Sequence, residues 1–419
     1  ATAGLAPRFD ALARSGVVFD RAMAPSSWTV PSTSTLMTGL PPSAHGAVDN
    51  DSMVLPGDIP TLAERARAAG VATGAVVANE LLRPAAGYAR GFESYARIPY
   101  CNARQVNDLA AAFLENHSGQ QFLLYLHYFD PHGPVNAPGE WRDRYVEPEL
   151  RHLVVREAEG RLLEALKASM AGRGPAPTPD DPDVRFLRQR YLGEVAYLDA
   201  LLAELLDGLE RLGRDRDTIV VITADHGEEF MDHGMYGHGS QLFDETLHVP
   251  LIVLAPEDVR LPWRPGTRVP DLVNTSGLYA SILDWLDVPF DPDQVLAGLD
   301  QRVAFAISET HKGVANDNRG DPLRRYLACV RTADWRLITS ERVEGESGPQ
   351  VQVLYDLRAD PDCQSPLPAD AEAQAAVRKE LLQLLGEFLD WAKGHRGASP
   401  IPGGSLQTIE MLKQMGYTH

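Results

Sequence analysis

The sequence predicts an α/β protein: a mostly parallel sheet sandwiched by helices, followed by a smaller C-terminal α+β subdomain. Three observations carry this expectation. Continuous apolar runs such as "FLLYL" and "IVVIT" alternate with amphipathic segments of helical period. Several of those runs break into polar, glycine-rich loops at their C-terminal ends. After Pro289 the pattern changes to paired strand-like stretches and a final helix. Fully apolar strands alternating with helices are buried on both faces, which is the habit of parallel sheets.

The elements follow in order. "PRFDALARSGVVFDRAMA" reads as a short helix with Phe9, Leu12 and Ala13 on one face, a stop at Gly16 and a strand from Val17 to Phe19. "TLAERARAAGVATGAVVAN" repeats the plan, with Leu62, Ala66 and Ala69 on a helix, Gly70 as its cap and a strand ending at Asn79. A buried strand from Phe122 to Leu126 opens into a loop at Asp130. Val195, Leu198, Leu202, Leu205 and Leu209 mark an amphipathic helix that stops at Gly213. A strand from Ile219 to Thr223 and another in "HVPLIVLAP" follow. Residues 136–190 mix charged helical stretches with a Pro/Asp-rich linker and read as an insertion or lid. The division expected is therefore 1–298 for the α/β domain, 299–395 for the subdomain ("RRYLACVRTADWRLITSE", "PQVQVLYDLRADP" and the helix "VRKELLQLLGEFLDWAK") and 396–419 for a tail.

Composition excludes some functions. The net charge is -19, from 58 acidic and 39 basic residues, which opposes nonspecific binding to nucleic-acid phosphates. No run approaches the ~20 apolar residues of a membrane span. The three cysteines, Cys101, Cys329 and Cys363, are too few and too scattered for a disulfide framework or a zinc pattern.

Ligands of open α/β sheets bind beyond the carboxyl ends of the strands, so the loops there are where chemistry is sought. "VVITADHGEEFMDHGMYGHG" gathers Asp225, His226, His233 and His238 after one strand. Carboxylates and neutral imidazoles that converge are the donors a divalent cation needs; the alternative is a solvated turn. "LHYFDPHGP" places His127, Asp130 and His132 after another strand, and Asn79 ends a third. The run "SSWTVPSTSTLMTG" holds eight hydroxyls around Pro31. Pro31 is expected to start a helix, which makes Ser32, Thr33 and Ser34 cap-like residues of its first turn. A hydroxyl beside a helix N-terminus and a cation is also a possible nucleophile.

In their order these motifs resemble the sulfatase family of the alkaline phosphatase superfamily. "TVPSTSTLMTGLPPSAHG" is similar to the signature that carries the family's nucleophile, with Thr29 at the nucleophile position, Thr33 where the family has arginine, and His45-Gly46 closing it. "TADHGEEF" resembles the metal-binding loop, which implies Asp225 and His226 as ligands together with Thr29. His238 stands where sulfatases carry an active-site lysine, and His132 lies in the loop similar to the substrate-side histidine loop. The resemblance implies a divalent ion (Mn, Zn or Ca) and a small-molecule or glycan- or lipid-linked anionic ester as substrate. It also implies a first strand ending in one or two metal-binding acids, expected ahead of Ala1. Threonine in place of the cysteine that sulfatases convert to formylglycine resembles the superfamily's phosphodiesterases and phosphoethanolamine transferases. Hydrolysis of phosphoric esters (diesters, phosphonate monoesters) through a covalent Thr29 intermediate is therefore expected. A true sulfuric ester hydrolase, a phospho-group transferase and an inactive family member are the alternatives. Asn79 and His233 are further candidates for the site.

Overall fold

The computed structural model describes residues 4–48, 53–256, 259, 261–294, 296, 298–299, 306–316, 322–341, 352–368 and 372–396; the expected tail lies almost wholly outside them. The strands are β1 (Val17–Met23), β2 (Ala72–Val77), β3 (Ser94–Arg97), β4 (Phe122–His127), β5 (Val220–Thr223), β6 (Glu229–Phe230), β7 (Tyr236–Gly237), β8 (Leu251–Leu254), β9 (Arg268–Asn274), β10 (Ala306–Asn316), β11 (Pro322–Arg331), β12 (Trp335–Glu341) and β13 (Gln352–Asp356). The helices are α1 (Pro7–Ser15), α2 (Thr29–Thr38), α3 (Pro42–His45), α4 (Leu62–Ala68), α5 (Ala103–Asn116), α6 (Val155–Met170), α7 (Pro182–Arg211), α8 (Asp244–Leu247), α9 (Leu278–Trp285) and α10 (Ala375–Gly394).

Two sheets carry the site. One has the order β5-β8-β1-β9, the other β3-β2-β4. All pairs of the second sheet are parallel, as is β1 with β9, while β8 runs antiparallel to both β1 and β5. The strand β2 shows why its sequence is apolar at nearly every position, Thr73 being the exception, with its hydroxyl donating to the Gly91 carbonyl at 2.8 Å. Ala75 and Val77 face a cluster with Trp28, Val30 and Met37 of the α2 region. Val76 faces Val106 and Leu109 of α5 on the other side. Both faces are covered, so no polar alternation is tolerated.

The third large sheet, β10-β11-β12-β13, is a meander of antiparallel neighbours. Leu381 and Leu385 of α10 pack on Ala328, Val330, Leu337 and Leu354. The arrangement agrees with the expected C-terminal sheet and helix, and β10 is an addition that sequence reading missed. It reaches the first part of the chain through Ser308, whose hydroxyl donates to the Ala24 carbonyl at 2.6 Å, and Thr310, which donates to the Gly239 carbonyl at 2.8 Å.

Two local expectations change. The helix α2 begins at Thr29, two residues before Pro31, and nine of its ten residues are buried. Ser32, Thr33 and Ser34 are therefore interior positions of a buried helix rather than caps. The serine hydroxyls turn to carbonyls, as does that of Thr38, while Thr33 Oγ1 is buried without such a bond. Ser32 donates to Ser26 at 2.8 Å, Ser34 to Val30 at 2.6 Å, and Thr38 to Ser34 at 2.7 Å. Secondly, residues 182–190 are no linker. Asp181 and Pro182 open α7, and Val184, Phe186 and Leu187 extend its buried face into one 30-residue helix. No helix among the described residues is long and apolar enough to cross a membrane.

Candidate active site

Thr29 is the first residue of α2, and its Oγ1 lies 3.1 Å from His226 Nε2 although 197 positions separate them. The loop after β5 supplies the other half. The Asp225 Oδ1 accepts the backbone N–H of His226 at 3.1 Å. The Nδ1 of His226 is 2.8 Å from the Gly227 carbonyl. That contact assigns the proton to Nδ1 and leaves the Nε2 lone pair facing Thr29.

Gly227 is what lets this loop close. A Cβ there would stand 2.1 Å from the Glu245 carbonyl oxygen, and its N–H donates to the Thr246 carbonyl at 2.8 Å. Backbone cannot swing aside as a side chain can. Gly227→Ala should therefore cost about 1–3 kcal/mol by overpacking and move His226 away from Thr29. Thermal melting and turnover measured together check this; an unchanged melting temperature would contradict the packing argument.

Two more histidines complete the group. The ring of His238, just after β7, lies 4.3 Å from that of His226 and 5.0 Å from that of His132, centroid to centroid. His238 Nδ1 lies 2.9 Å from Glu228 Oε1, and His132 Nδ1 lies 2.6 Å from the Gly133 carbonyl. Thr29, His132, Asp225, His226 and His238 are thus brought to one place.

Burial sets the electrostatics. It pushes His226 below its ordinary value, with Asp225 opposing and His238 adding to the depression. It drives His132 down to about 4, helped by His238, and lowers His127 as well. For Asp225 burial works against the charge, yet His226 and His127 hold the carboxyl below the usual range. Glu228 is held low in the same way, burial opposed chiefly by His238. The centre thus sets the carboxylates of Asp225 and Glu228 beside three imidazoles, His226, His132 and His127, whose protonation burial disfavours. Asp225 Oδ2 has no hydrogen-bond partner. A buried carboxylate oxygen left unpaired is costly, and a cation would satisfy it. The donor types here, a carboxylate, an imidazole and a hydroxyl, are ones a divalent ion accepts, though among the described residues no three His, Cys, Asp or Glu side chains form a metal-holding group.

Two further candidates make contacts of their own. Asn79 Oδ1 accepts the Leu81 N–H at 2.8 Å and closes its own turn. His233 is structural: its ring stacks on Phe243 at 3.7 Å, Nδ1 pairs with Glu245, and Nε2 is 3.0 Å from the Asp362 carbonyl. Its sequence neighbourhood suggested a ligand, but the β6–β7 hairpin turns it toward the segment after β13. Sequence reading did not single out Glu228, and it named His127 without giving it a role. The double acid "EE" after Gly227 was the available signal for the first, and a histidine ending an apolar strand for the second.

The α/β fold is shared with solved phosphonate monoester hydrolases and sulfatases. The solved phosphonate monoester hydrolase of Agrobacterium radiobacter superposes with a TM-score of 0.70 at 22% identity, covering 92% of this chain and 91% of that one. The Sulfatase family model matches residues 2–288; the chain belongs to the sulfatase family. Among curated proteins it is 23% identical over 215 residues to the multifunctional alkaline phosphatase superfamily protein PehA of Trinickia caryophylli, across 46% of this chain and 39% of that protein. It is 23% identical over 292 residues to the uncharacterized sulfatase YidJ of Escherichia coli (strain K12), across 69% of this chain and 55% of that one. The chain thus spans only 39% and 55% of the length of these two relatives.

Proposed function

We propose that this protein hydrolyses phosphoric esters, diesters and phosphonate monoesters in particular, with Thr29 as nucleophile. The observation that carries the reading is the 3.1 Å approach of Thr29 Oγ1 to His226 Nε2 at the N-terminus of a buried helix. A hydroxyl needs activation to attack at neutral pH. A divalent ion (Mn, Zn or Ca) held by Asp225, His226 and Thr29 would lower the hydroxyl pKa and offset charge on a substrate oxygen.

The chain's own groups do the rest. Thr29 Oγ1 attacks phosphorus and gives its proton to solvent water, the bond to the leaving oxygen breaks, and a phospho-threonine remains, whose Thr29 oxygen regains a proton from solvent when water cleaves it. His238, oriented by Glu228, protonates the departing oxygen. His132 is neutral at pH 7, so it takes the proton from the water that cleaves the phospho-threonine. The N-terminal N–H groups of α2 face the developing charge.

Threonine also argues against sulfate release through an aldehyde hydrate, because no cysteine stands at position 29 to be converted. Bis-p-nitrophenyl phosphate and p-nitrophenyl phenylphosphonate should exceed p-nitrophenyl sulfate in kcat/KM by at least about 100-fold, a barrier difference near 2.7 kcal/mol, with Mn, Zn or Ca added. Faster sulfate turnover would make the protein a true sulfatase. Transfer to an added alcohol in preference to water would make it a transferase, and no turnover of any ester would point to an inactive family member.

A further inference from the structure

The loop that carries His132 is held from both ends. At its start Asp130 Oδ2 accepts the Ala103 N–H at 2.9 Å, which ties it to α5. Its far end lies on α7, where two buried polar residues one turn apart meet it. The guanidinium of Arg190 donates to the Val135 carbonyl at 3.2 Å, to Asn136 Oδ1 at 3.0 Å and to Asp143 Oδ1 at 2.8 Å. The carboxyl of Glu194 accepts the Asn136 N–H. Glu194 is 3% and Arg190 6% exposed. Between them Gly193 admits the Trp141 carbonyl, which a Cβ would meet at 2.4 Å, so the chain beyond the loop is pressed onto the helix.

Nothing in the reaction just described uses Glu194 directly, and a helix face burying an acid this deeply is costly. We propose that Glu194, with Arg190, is a positioning residue that sets the His132 ring for reaction by clamping the loop 130–136. The proposal rests on the reading of His132 as a reacting group.

The charge state of the clamp follows from its surroundings. Burial raises the Glu194 carboxyl to about 8, and Asp130 adds to the rise. The backbone amides of Asn136 and His132 and the Arg190 charge oppose it. Tyr191 also faces it, and Asp143 acts on it through Arg190. Glu194 Oε2 has no hydrogen-bond partner, which a neutral acid tolerates better than an anion. At pH 7 the clamp is therefore largely a carboxylic acid. Deprotonation near pH 8 puts a second negative charge beside Asp130 and loosens the loop.

The sign for stability follows. Between the ordinary carboxylate pKa and about 8, the folded chain keeps a proton that the unfolded chain has lost, so this component of stability falls as pH rises through that window. Glu229, raised to about 7 by burial, contributes in the same direction, so the comparison must be made against a Glu194 variant.

The experiment uses the full chain with Glu194→Gln and Glu194→Ala. It reads melting temperature from pH 5 to 9, the His132 imidazole resonances, and turnover of bis-p-nitrophenyl phosphate. Glu194→Gln keeps the acceptor and cannot titrate. It should melt with a shallower fall toward alkaline pH and lose the alkaline limb of kcat near pH 8. Glu194→Ala should shift the His132 resonances and lower kcat about tenfold while KM changes less than about threefold. If Glu194→Ala does not fold, Glu194→Gln decides alone. A Glu194→Gln melting profile parallel to wild type, or Glu194→Ala with unchanged His132 resonances, overturns the clamp. Absence of phosphoester turnover would count against the proposed function, and the melting and resonance readouts would still decide the clamp.

Discussion

Replacing Thr29 by alanine is expected to lower phosphoester turnover by at least about 1,000-fold, a barrier increase near 4 kcal/mol. Thr29→Ser should retain turnover within about 100-fold of wild type, because the hydroxyl survives on the same helix turn. The control lies in the same run. Ser34→Ala removes a bond to the Val30 carbonyl and a contact with the Tyr88 hydroxyl, which should cost about 1 kcal/mol of stability and leave the chemistry intact. Steady-state kinetics with bis-p-nitrophenyl phosphate compares the three. A Thr29→Ala enzyme within about tenfold of wild type would reduce the Thr29–His226 contact to a packing detail.

Asp225→Asn should have an effect of similar size by a different route. It should weaken Mn or Zn binding by at least about 100-fold, seen by calorimetry, and reduce turnover by at least about 1,000-fold. Without added metal the same variant should melt below wild type, since His226 and His127 hold the Asp225 carboxyl below its usual range and its charge therefore favours the folded chain at neutral pH. Unchanged metal affinity in the variant would remove Asp225 from the role. Metal-free melting at or above the wild-type temperature would show that the histidines do not compensate its charge.

The strands were legible because covering on both faces leaves mostly apolar runs, as in "FLLYL" of β4 and "AVV" of β2. The convergence of Thr29, His132, Asp225, His226 and His238 was expected from the family resemblance together with the placement of each motif after a strand. Less legible was what depends on partners far along the chain. Nothing near His233 announces the stacking on Phe243 or the carbonyl of Asp362, which lies 129 positions away. Glu194 looks like any acid on an amphipathic helix until the loop 130–136 is laid against it. The start of α2 was misplaced because Pro31 is permitted anywhere in a first turn, and local sequence does not choose among those positions.

The place of β1 in its sheet has a consequence for how the chain is made. Its neighbours are β8 and β9, and Val18 pairs with Arg268, a separation of 250 positions (268 − 18). The sheet β3-β2-β4, by contrast, draws all its strands from residues 72–127. During synthesis at roughly 5–20 residues per second, β1 therefore waits roughly 12–50 s for its partners, while the smaller sheet has long been available. Thr29, only six positions after β1, cannot meet His226 until most of the chain has emerged. The reactive centre thus forms after the smaller sheet, and a chain halted before about residue 274 would hold a nucleophile whose strand β1 lacks its partner β9.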